Sequence, residues 1–101
     1  MNDVFSYPTV LSVAGSDSSG GAGVQADVKT ISALGAYAAT AITAITVQNT
    51  LGVQAVHPMQ ADVVGAQMEA VMSDLALDAV SSKKDLINLL LSIGCENLLC
   101  R

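Results

Sequence analysis

Aromatic residues are nearly absent from this sequence. It contains no tryptophan, one phenylalanine and two tyrosines, so aromatic residues make up 3% of the 101 residues while hydrophobic residues make up 51%. Any folded core must therefore be built from Ala, Val, Ile, Leu and Met side chains. A chain of this length forms one small domain at most, with little surplus of buried surface.

Positive charge is also scarce. Four Lys and Arg residues stand against nine Asp and Glu residues, the net charge is −5, and Lys29 is the only basic residue before Lys83. A chain without a basic stripe is a poor partner for nucleic acid or an anionic membrane surface. The apolar runs are too often interrupted to span a bilayer, and no signal-peptide pattern opens the chain. We therefore expect a cytoplasmic location with no membrane partner.

The two cysteines and the single histidine do not form a recognisable site. Cys95 and Cys100 lie near the end of the sequence with no histidine beside them, which predicts neither a zinc site nor a disulfide framework. His57 stands alone before Pro58. We expect it to be a solvated side chain in a loop rather than a metal ligand or a base.

The most informative stretch is Ala14–Thr30, which reads AGSDSSGGAGVQADVKT. A short apolar strand is predicted over Thr9–Ala14 before it, and a helix over Val24–Leu34 after it. The turn between them contains four glycines: Gly15, Gly20, Gly21 and Gly23. Glycine allows close approach to the backbone, and the first N–H groups of a helix have no intrahelical partner, so this turn suits an anion or a polar ligand group. Alternatively, the glycines only satisfy the geometry of a tight connection.

Two familiar glycine motifs do not fit this turn. Gly21–Ala26 matches the Gly-x-Gly-x-x-Gly/Ala pattern of dinucleotide-binding proteins, which also needs an acidic residue about 20 positions later. Residues Thr40–Val47 contain no acid. Gly15–Gly20 has the glycine spacing of a P-loop, but Gly21 and Ala22 stand where that motif requires Lys and Ser or Thr.

The rest of the pattern alternates strands and helices. The further elements predicted are strands over Ala38–Val47 and Val53–Val56, a helix over Ala61–Asp74, and a strand beginning at Leu77–Val80. The first of these strands is rich in Thr and Ile, which predicts a strand buried on both faces. Apolar residues fall on one face of the later helix at Val64, Met68, Val71 and Leu75. Gly35 is expected to end the earlier helix.

Two polar side chains stand near the predicted crevice. Open α/β sheets bind ligands beyond the carboxyl ends of their strands, so the exits at Gly15 and Gln48 are expected to face one crevice. The Gln48 amide both donates and accepts, which suits the edge of an aminopyrimidine, although it would equally satisfy loop backbone. Asp27 lies one turn inside the helix, where an acid is also favourable as a solvated side chain near the helix dipole.

These stretches resemble a known family. Ala14–Thr30, SALGAY at 32–37 and TAITAITVQNTLGV at 40–53 are similar to the opening of the hydroxymethylpyrimidine/phosphomethylpyrimidine kinases of thiamine biosynthesis, in the same order and spacing. The resemblance runs from about Val10 to Val80. It implies a ribokinase-like α/β fold, a mostly parallel sheet flanked by helices, of which this chain carries the incomplete N-terminal part.

The resemblance also implies a function and a set of site residues. The family phosphorylates 4-amino-5-hydroxymethyl-2-methylpyrimidine and its monophosphate with ATP and Mg²⁺. Residues implied to contact the pyrimidine are Gln48, Asp27, Gly15, Gly20, Gly21 and Gly23. The ATP site, the anion hole and the catalytic residue lie in a later part of the family's longer chains, so no catalytic or metal-binding residue is assigned here. A pyridoxal-type kinase ranks lower, and a non-catalytic remnant or binding module is the alternative of a different class.

The pattern changes after Val80, which divides the chain into a kinase-like segment, 1–80, and a divergent tail, 81–101. Ser82–Asp85 predicts a helix start, Leu86–Ser92 a helix, and the residues from Cys95 a short strand. This order agrees with an internal deletion, and a shifted reading frame is the alternative. The edge of a cut parallel sheet predicts self-association.

Overall fold

A computed structural model describes residues 8–81 of the chain. Within this range the elements are β1 (Thr9–Asp17), α1 (Gly23–Ala33), β2 (Tyr37–Asn49), β3 (Gly52–Pro58), α2 (Ala61–Asp74) and β4 (Ala79–Ser81). They form a four-stranded sheet in the order β3-β2-β1-β4. β1 is parallel to both β2 and β4, and β3 is antiparallel to β2. The predicted α/β class with a mostly parallel sheet and flanking helices is confirmed.

The core lies between the first strand and the first helix. Val10, Ile31 and Ala36 form a buried cluster, and Leu34, Ala38 and Ala79 pack against it. The N–H of Gly35 donates to the Ser32 carbonyl and that of Ala36 to the Ile31 carbonyl, both at 3.0 Å. Gly35 has φ +82°, so it ends α1 in the left-handed conformation, as the sequence predicts.

α2 agrees with its predicted bounds and its predicted face. Val64, Met68, Val71 and Leu75 are half-buried, whereas most of the helix is exposed. Gln67 shares this inner face and bonds both backbone groups of Ile42, with 2.9 Å for each contact. Since β3 pairs with β2 only from Ala44 onward, the Gln67 side chain takes the place of a strand partner at this point.

Three sequence-based expectations were wrong in the described part of the chain. The strand bounds differ from those predicted: β1, β2 and β3 extend further, to Asp17, Asn49 and Pro58, and β4 begins at Ala79 instead of Leu77. His57 lies within β3 rather than in a loop, although it is exposed as expected. β2 is not buried on both faces: Ile45 and Val47 are 40% and 43% exposed, because no described element covers them.

The predictions for the tail fall on residues that the structure does not describe. These are the helix start at Ser82–Asp85, the helix over Leu86–Ser92, the strand from Cys95 and the two cysteines. Among residues 8–81, neither helix has the length and apolar character needed to cross a bilayer.

Candidate functional site

Asp17, at the end of β1, organises the glycine-rich loop. Its Oδ1 accepts hydrogen bonds from the N–H and hydroxyl of Ser19 at 2.9 and 2.7 Å, and its Oδ2 accepts from the Gly21 N–H at 3.0 Å. The side chain is buried. The Ser19 hydroxyl is the main cause that lowers the pKa of Asp17, the N–H groups of Ser19, Ala22 and Gly21 act in the same direction, and burial opposes them.

Gly23, the first residue of α1, has no room for a side chain. Its φ is +61°, and a Cβ at this position would lie 2.2 Å from the carbonyl oxygen of Gly15. The two segments meet here because Ser16 and Gly23 form an antiparallel bridge. Only glycine permits this approach of strand and helix.

The other three loop glycines have more room for a side chain than Gly23. Gly20 has φ +85°, and its carbonyl accepts from the Lys29 Nζ at 2.8 Å. A Cβ added at Gly15 or Gly21 would find its nearest neighbour at 3.5 or 3.9 Å, which is ordinary contact. Of the four glycines singled out by the sequence, Gly23 and Gly20 are therefore required by backbone geometry.

The loop is tied directly to Gln48 on the neighbouring strand. The Ser18 hydroxyl donates to the Gln48 carbonyl at 2.8 Å and accepts from the Gln48 N–H at 3.0 Å. The Thr46 hydroxyl lies 2.8 Å from the Ser16 carbonyl oxygen and 3.0 Å from Gln48 Oε1. The exits of β1 and β2 therefore meet at one edge of the sheet, and the Gln48 amide lies beside the glycine-rich loop.

Gln25, in the first turn of α1, fastens the helix to the same edge. Its Oε1 accepts from the Asp17 N–H at 2.8 Å, and its Nε2 donates to the Ser16 hydroxyl at 2.7 Å. Sequence reasoning missed Gln25 and did not assign Asp17 to the site. For Asp17 a signal existed, because an Asp followed by two serines and a glycine is typical of a side-chain-stabilised turn.

Asp27 lies deeper, between α1 and the middle of β1. Its Oδ2 accepts from the Ser12 hydroxyl at 2.6 Å. Along β2, Ser12 is level with Thr40, whereas Asp17 is level with Thr46. Asp27 and Gln48 therefore lie at different heights along the β1–β2 pair. No hydrogen bond within residues 8–81 joins their side chains.

The edge of the sheet where β1 and β2 end is polar but offers few charges. Both Asp17 oxygens are occupied by loop donors, and residues 8–81 contain no group of three His, Cys, Asp or Glu side chains that could hold a metal ion. The N-cap residue of α1, Ala22, makes no side-chain capping bond, and the first turn has no acidic residue. Amide, hydroxyl and backbone N–H groups suit a neutral polar ligand.

Comparison with known proteins gives a consistent result. A sequence model of the phosphomethylpyrimidine kinase family matches residues 17–82. The hydroxymethylpyrimidine/phosphomethylpyrimidine kinase of Rhizobium meliloti is 66% identical over 69% of this chain and 26% of its own length. A phosphomethylpyrimidine kinase structure from Clostridium difficile is 44% identical with a TM-score of 0.71, covering 85% of this chain and 39% of that one.

Pyridoxal kinases share the fold almost equally well. The pyridoxal kinase of Staphylococcus aureus has a TM-score of 0.70 and 37% identity, covering 79% of this chain and 30% of that one. Similarity of the backbone therefore does not decide between a pyrimidine and a pyridoxal-type ring as the ligand. In each comparison the chain spans well under half the length of the protein it matches.

Proposed function

Because the chain belongs to the phosphomethylpyrimidine kinase family, we propose that residues 8–81 supply the pyrimidine-binding part of a thiamine-biosynthesis kinase. The enzyme would transfer phosphate from ATP to 4-amino-5-hydroxymethyl-2-methylpyrimidine and to its monophosphate. The curated relatives carry names for this activity.

The observation that carries this proposal is the link between the glycine-rich loop and Gln48. The Ser18 hydroxyl donates to the Gln48 carbonyl and accepts from the Gln48 N–H, and these two hydrogen bonds hold the Gln48 backbone against the loop. The Thr46 hydroxyl lies 3.0 Å from the side-chain Oε1 of the same residue, so backbone and amide are both positioned before a ligand arrives, which reduces the ordering that binding requires. Its donor and acceptor atoms match the ring nitrogen and amino group along one edge of an aminopyrimidine.

The remaining predicted residues have supporting roles in the proposal. Gly15, Gly20 and Gly21 would allow the ring to approach the loop backbone, and Gly23 keeps strand and helix in contact. Asp27 would contact the substrate from the deeper end of the crevice.

ATP and Mg²⁺ are the cofactors we propose for the complete enzyme. Among residues 8–81, the acid at the loop has its oxygens committed to Ser19 and Gly21, and no metal-binding cluster is present. The described residues do not fit a magnesium–ATP site. We therefore assign neither cofactor nor any catalytic residue to this segment, whose contribution would be to bind and orient the pyrimidine. Cytoplasmic location and the absence of nucleic-acid or membrane partners remain part of the proposal.

A thermal melt with and without the hydroxymethylpyrimidine tests the proposal. A ligand that binds only the folded chain must raise the melting temperature as its concentration rises. Gln48→Ala should abolish this shift, while Gln54→Ala, a matched change at an exposed position of β3, should keep it. A melting temperature that does not change as the pyrimidine concentration rises would overturn the proposal.

A non-catalytic binding module is the second candidate. It is favoured by the composition of the crevice, which offers ligand-binding groups without a metal cluster in residues 8–81. Detectable phosphate transfer by the purified chain with the pyrimidine, ATP and Mg²⁺ would exclude this candidate. Pyridoxal in the same melt tests the other ring type, and a larger shift with pyridoxal would favour the pyridoxal-kinase alternative.

A further inference from the structure

The side chain of Gln48 is held by one contact within residues 8–81. Its Oε1 lies 3.0 Å from the Thr46 hydroxyl, and no other group in this part of the chain hydrogen-bonds the side-chain amide. Gln48 is only half-buried, so its remaining amide groups can reach a ligand. The edge that a ligand meets here therefore depends on how Thr46 holds the amide.

The Thr46 hydroxyl has one proton for two neighbouring oxygen atoms. It lies 2.8 Å from the carbonyl oxygen of Ser16 as well as 3.0 Å from Gln48 Oε1. A backbone carbonyl can only accept, whereas a glutamine amide has one end that accepts and one that donates. If the proton went to Gln48, the Thr46 and Ser16 oxygens would repel each other at 2.8 Å. The proton is therefore donated to Ser16, and Thr46 must accept from Gln48.

The two distances agree with this assignment. O–H···O bonds are typically about 2.7–2.8 Å long and N–H···O bonds about 2.9–3.0 Å. The Ser16 contact has the first length and the Gln48 contact has the second. The two ends of a glutamine amide have nearly the same shape, so their partners decide which end points where. A half-turn of the amide places Nε2 beside Thr46 and satisfies all three groups.

The carbonyl that takes the Thr46 proton is fixed by its surroundings. The register of β1 and β2 shifts between Ala14 and Ser16, and beyond this bulge Asp17 is level with Thr46. The Ser16 side chain is also tied to α1, because Gln25 Nε2 donates to its hydroxyl at 2.7 Å. The acceptor at Ser16 is thus part of the paired strands and of the helix contact, and its position does not depend on a ligand.

We infer that Thr46 is a positioning residue that holds Nε2 of Gln48 and thereby fixes the order in which the amide presents its acceptor and its second N–H to the ligand. The inference rests on the proposed function and narrows its ligand class. That class is a ring whose edge carries an exocyclic amino group beside an unprotonated ring nitrogen. Oε1 accepts from the amino group, and the second N–H donates to the ring nitrogen.

The fixed order of these two groups discriminates against a second kind of ring. A ring with an oxo group beside a ring N–H has the acceptor and the donor exchanged, so it needs the amide in the reversed orientation. Reversal places Oε1 against the Thr46 oxygen, whose proton is committed to Ser16. The oxo ring therefore loses the hydrogen bond between Gln48 and Thr46, whereas the amino ring keeps it.

Isothermal titration of the chain with two ligands tests the inference. The first is the hydroxymethylpyrimidine, and the second is its oxo counterpart, 5-hydroxymethyl-2-methylpyrimidin-4-one. The measured quantity is the ratio of the two dissociation constants, and the wild-type chain should prefer the amino compound. Thr46→Val keeps the shape of the side chain but lets the amide turn either way. The preference should therefore fall by roughly three- to tenfold, the effect of one net hydrogen bond.

Two further variants separate positioning from a purely structural role. Thr46→Ser keeps the hydroxyl and should restore the preference for the amino compound. Thr43→Val is the matched control, because Thr43 lies on the same strand with its side chain on the opposite face, and the preference should be retained. A general loss of stability would weaken binding of both compounds without changing their ratio.

Proton exchange at the side-chain amides gives a second test, which needs only the wild-type chain. One of the two Gln48 side-chain protons should exchange with water more slowly in nuclear magnetic resonance spectra than those of Gln54, which is exposed on β3. Exchange as fast as at Gln54, or a ratio that Thr46→Val leaves unchanged, would overturn this inference and leave the proposed function standing. Binding of neither compound would instead overturn the proposed function, and this inference with it.

Discussion

The part of the fold around β1 and α1 and the part around β3 and α2 are stabilised in different ways. On one side, β1, the glycine-rich loop and α1 form a buried and closely hydrogen-bonded unit, in which Val10, Leu11, Ser12 and Ile31 have no exposed surface. On the other side, β3 and α2 contain no buried residue, and Leu51, at the tip between β2 and β3, is 94% exposed. Both sides are rich in small apolar residues, so composition does not explain the difference.

The difference shows that the contribution of a glycine or a glutamine to stability depends on where it lies in the fold. The loop is held by side chains that bond backbone groups, above all Asp17, Ser18 and Gln25. The α2 side depends on half-buried contacts and on one such residue, Gln67. Substitutions of the same residue type on the two sides should therefore have unequal effects.

The largest expected effect is that of Gly23→Ala. A left-handed backbone costs a non-glycine residue about 1–2 kcal/mol, and overpacking adds about 1–3 kcal/mol, so the free energy of unfolding should fall by roughly 3 kcal/mol. Urea denaturation measures this loss.

Gly65→Ala is the matched change on the other side. A Cβ at Gly65 meets nothing within 4 Å, and alanine in a helix interior is favoured over glycine by up to about 1 kcal/mol. The urea midpoint should therefore rise. Equal losses for the two variants would contradict the comparison.

A smaller effect is expected for Gln67→Met, which keeps the side-chain length and the helix propensity. The change removes the partners of the Ile42 N–H and carbonyl, and leaving such groups unsatisfied costs about 1–3 kcal/mol. Gln54→Met on the exposed β3 should stay within about 0.5 kcal/mol of the wild type. If both variants denature at the same urea concentration, Gln67 does not stabilise the edge of β2.

The smallest effect concerns the pH dependence of the loop. The pKa of Asp17 is lowered from its ordinary value of 3.8, so the folded chain binds a proton there less readily than the unfolded chain. Its contribution to stability is present above pH 3.8 and is lost as the pH falls through the lower, folded-state pKa. Urea midpoints measured on either side of this range should differ more in the wild type than in Asp17→Asn. Parallel curves for the two proteins would contradict this assignment.

Much of the local structure could be predicted from the sequence. The period of apolar residues predicted α2 with the bounds Ala61–Asp74, and Gly35 ended α1 as expected. The strand ends were less well predicted, because β1 continues through residues 15–17 as an extended, bulged segment that contains glycine and serine. The burial of β2 was misjudged, since β-branched composition predicts a strand but not what covers its faces.

The candidate site was predicted only in part. Gln48 and the glycine turn were placed at one crevice because parallel strands present their carboxyl ends together, and the structure has them joined through Ser18. The link between Ser12 and Asp27 and the burial of the Ser81 hydroxyl were not foreseen.

By itself, the sequence determined the order of strands and helices, the glycine-rich turn and the resemblance to a kinase family, because each of these depends on neighbouring residues and their periodicity. Only the tertiary structure decided which polar side chains meet. Ser18 reaches Gln48 across 30 residues, and Ser12 pairs with Ser81 through the register of β1 and β4. Such contacts depend on strand register, and a slip of one residue would turn every side chain of the strand to the opposite face.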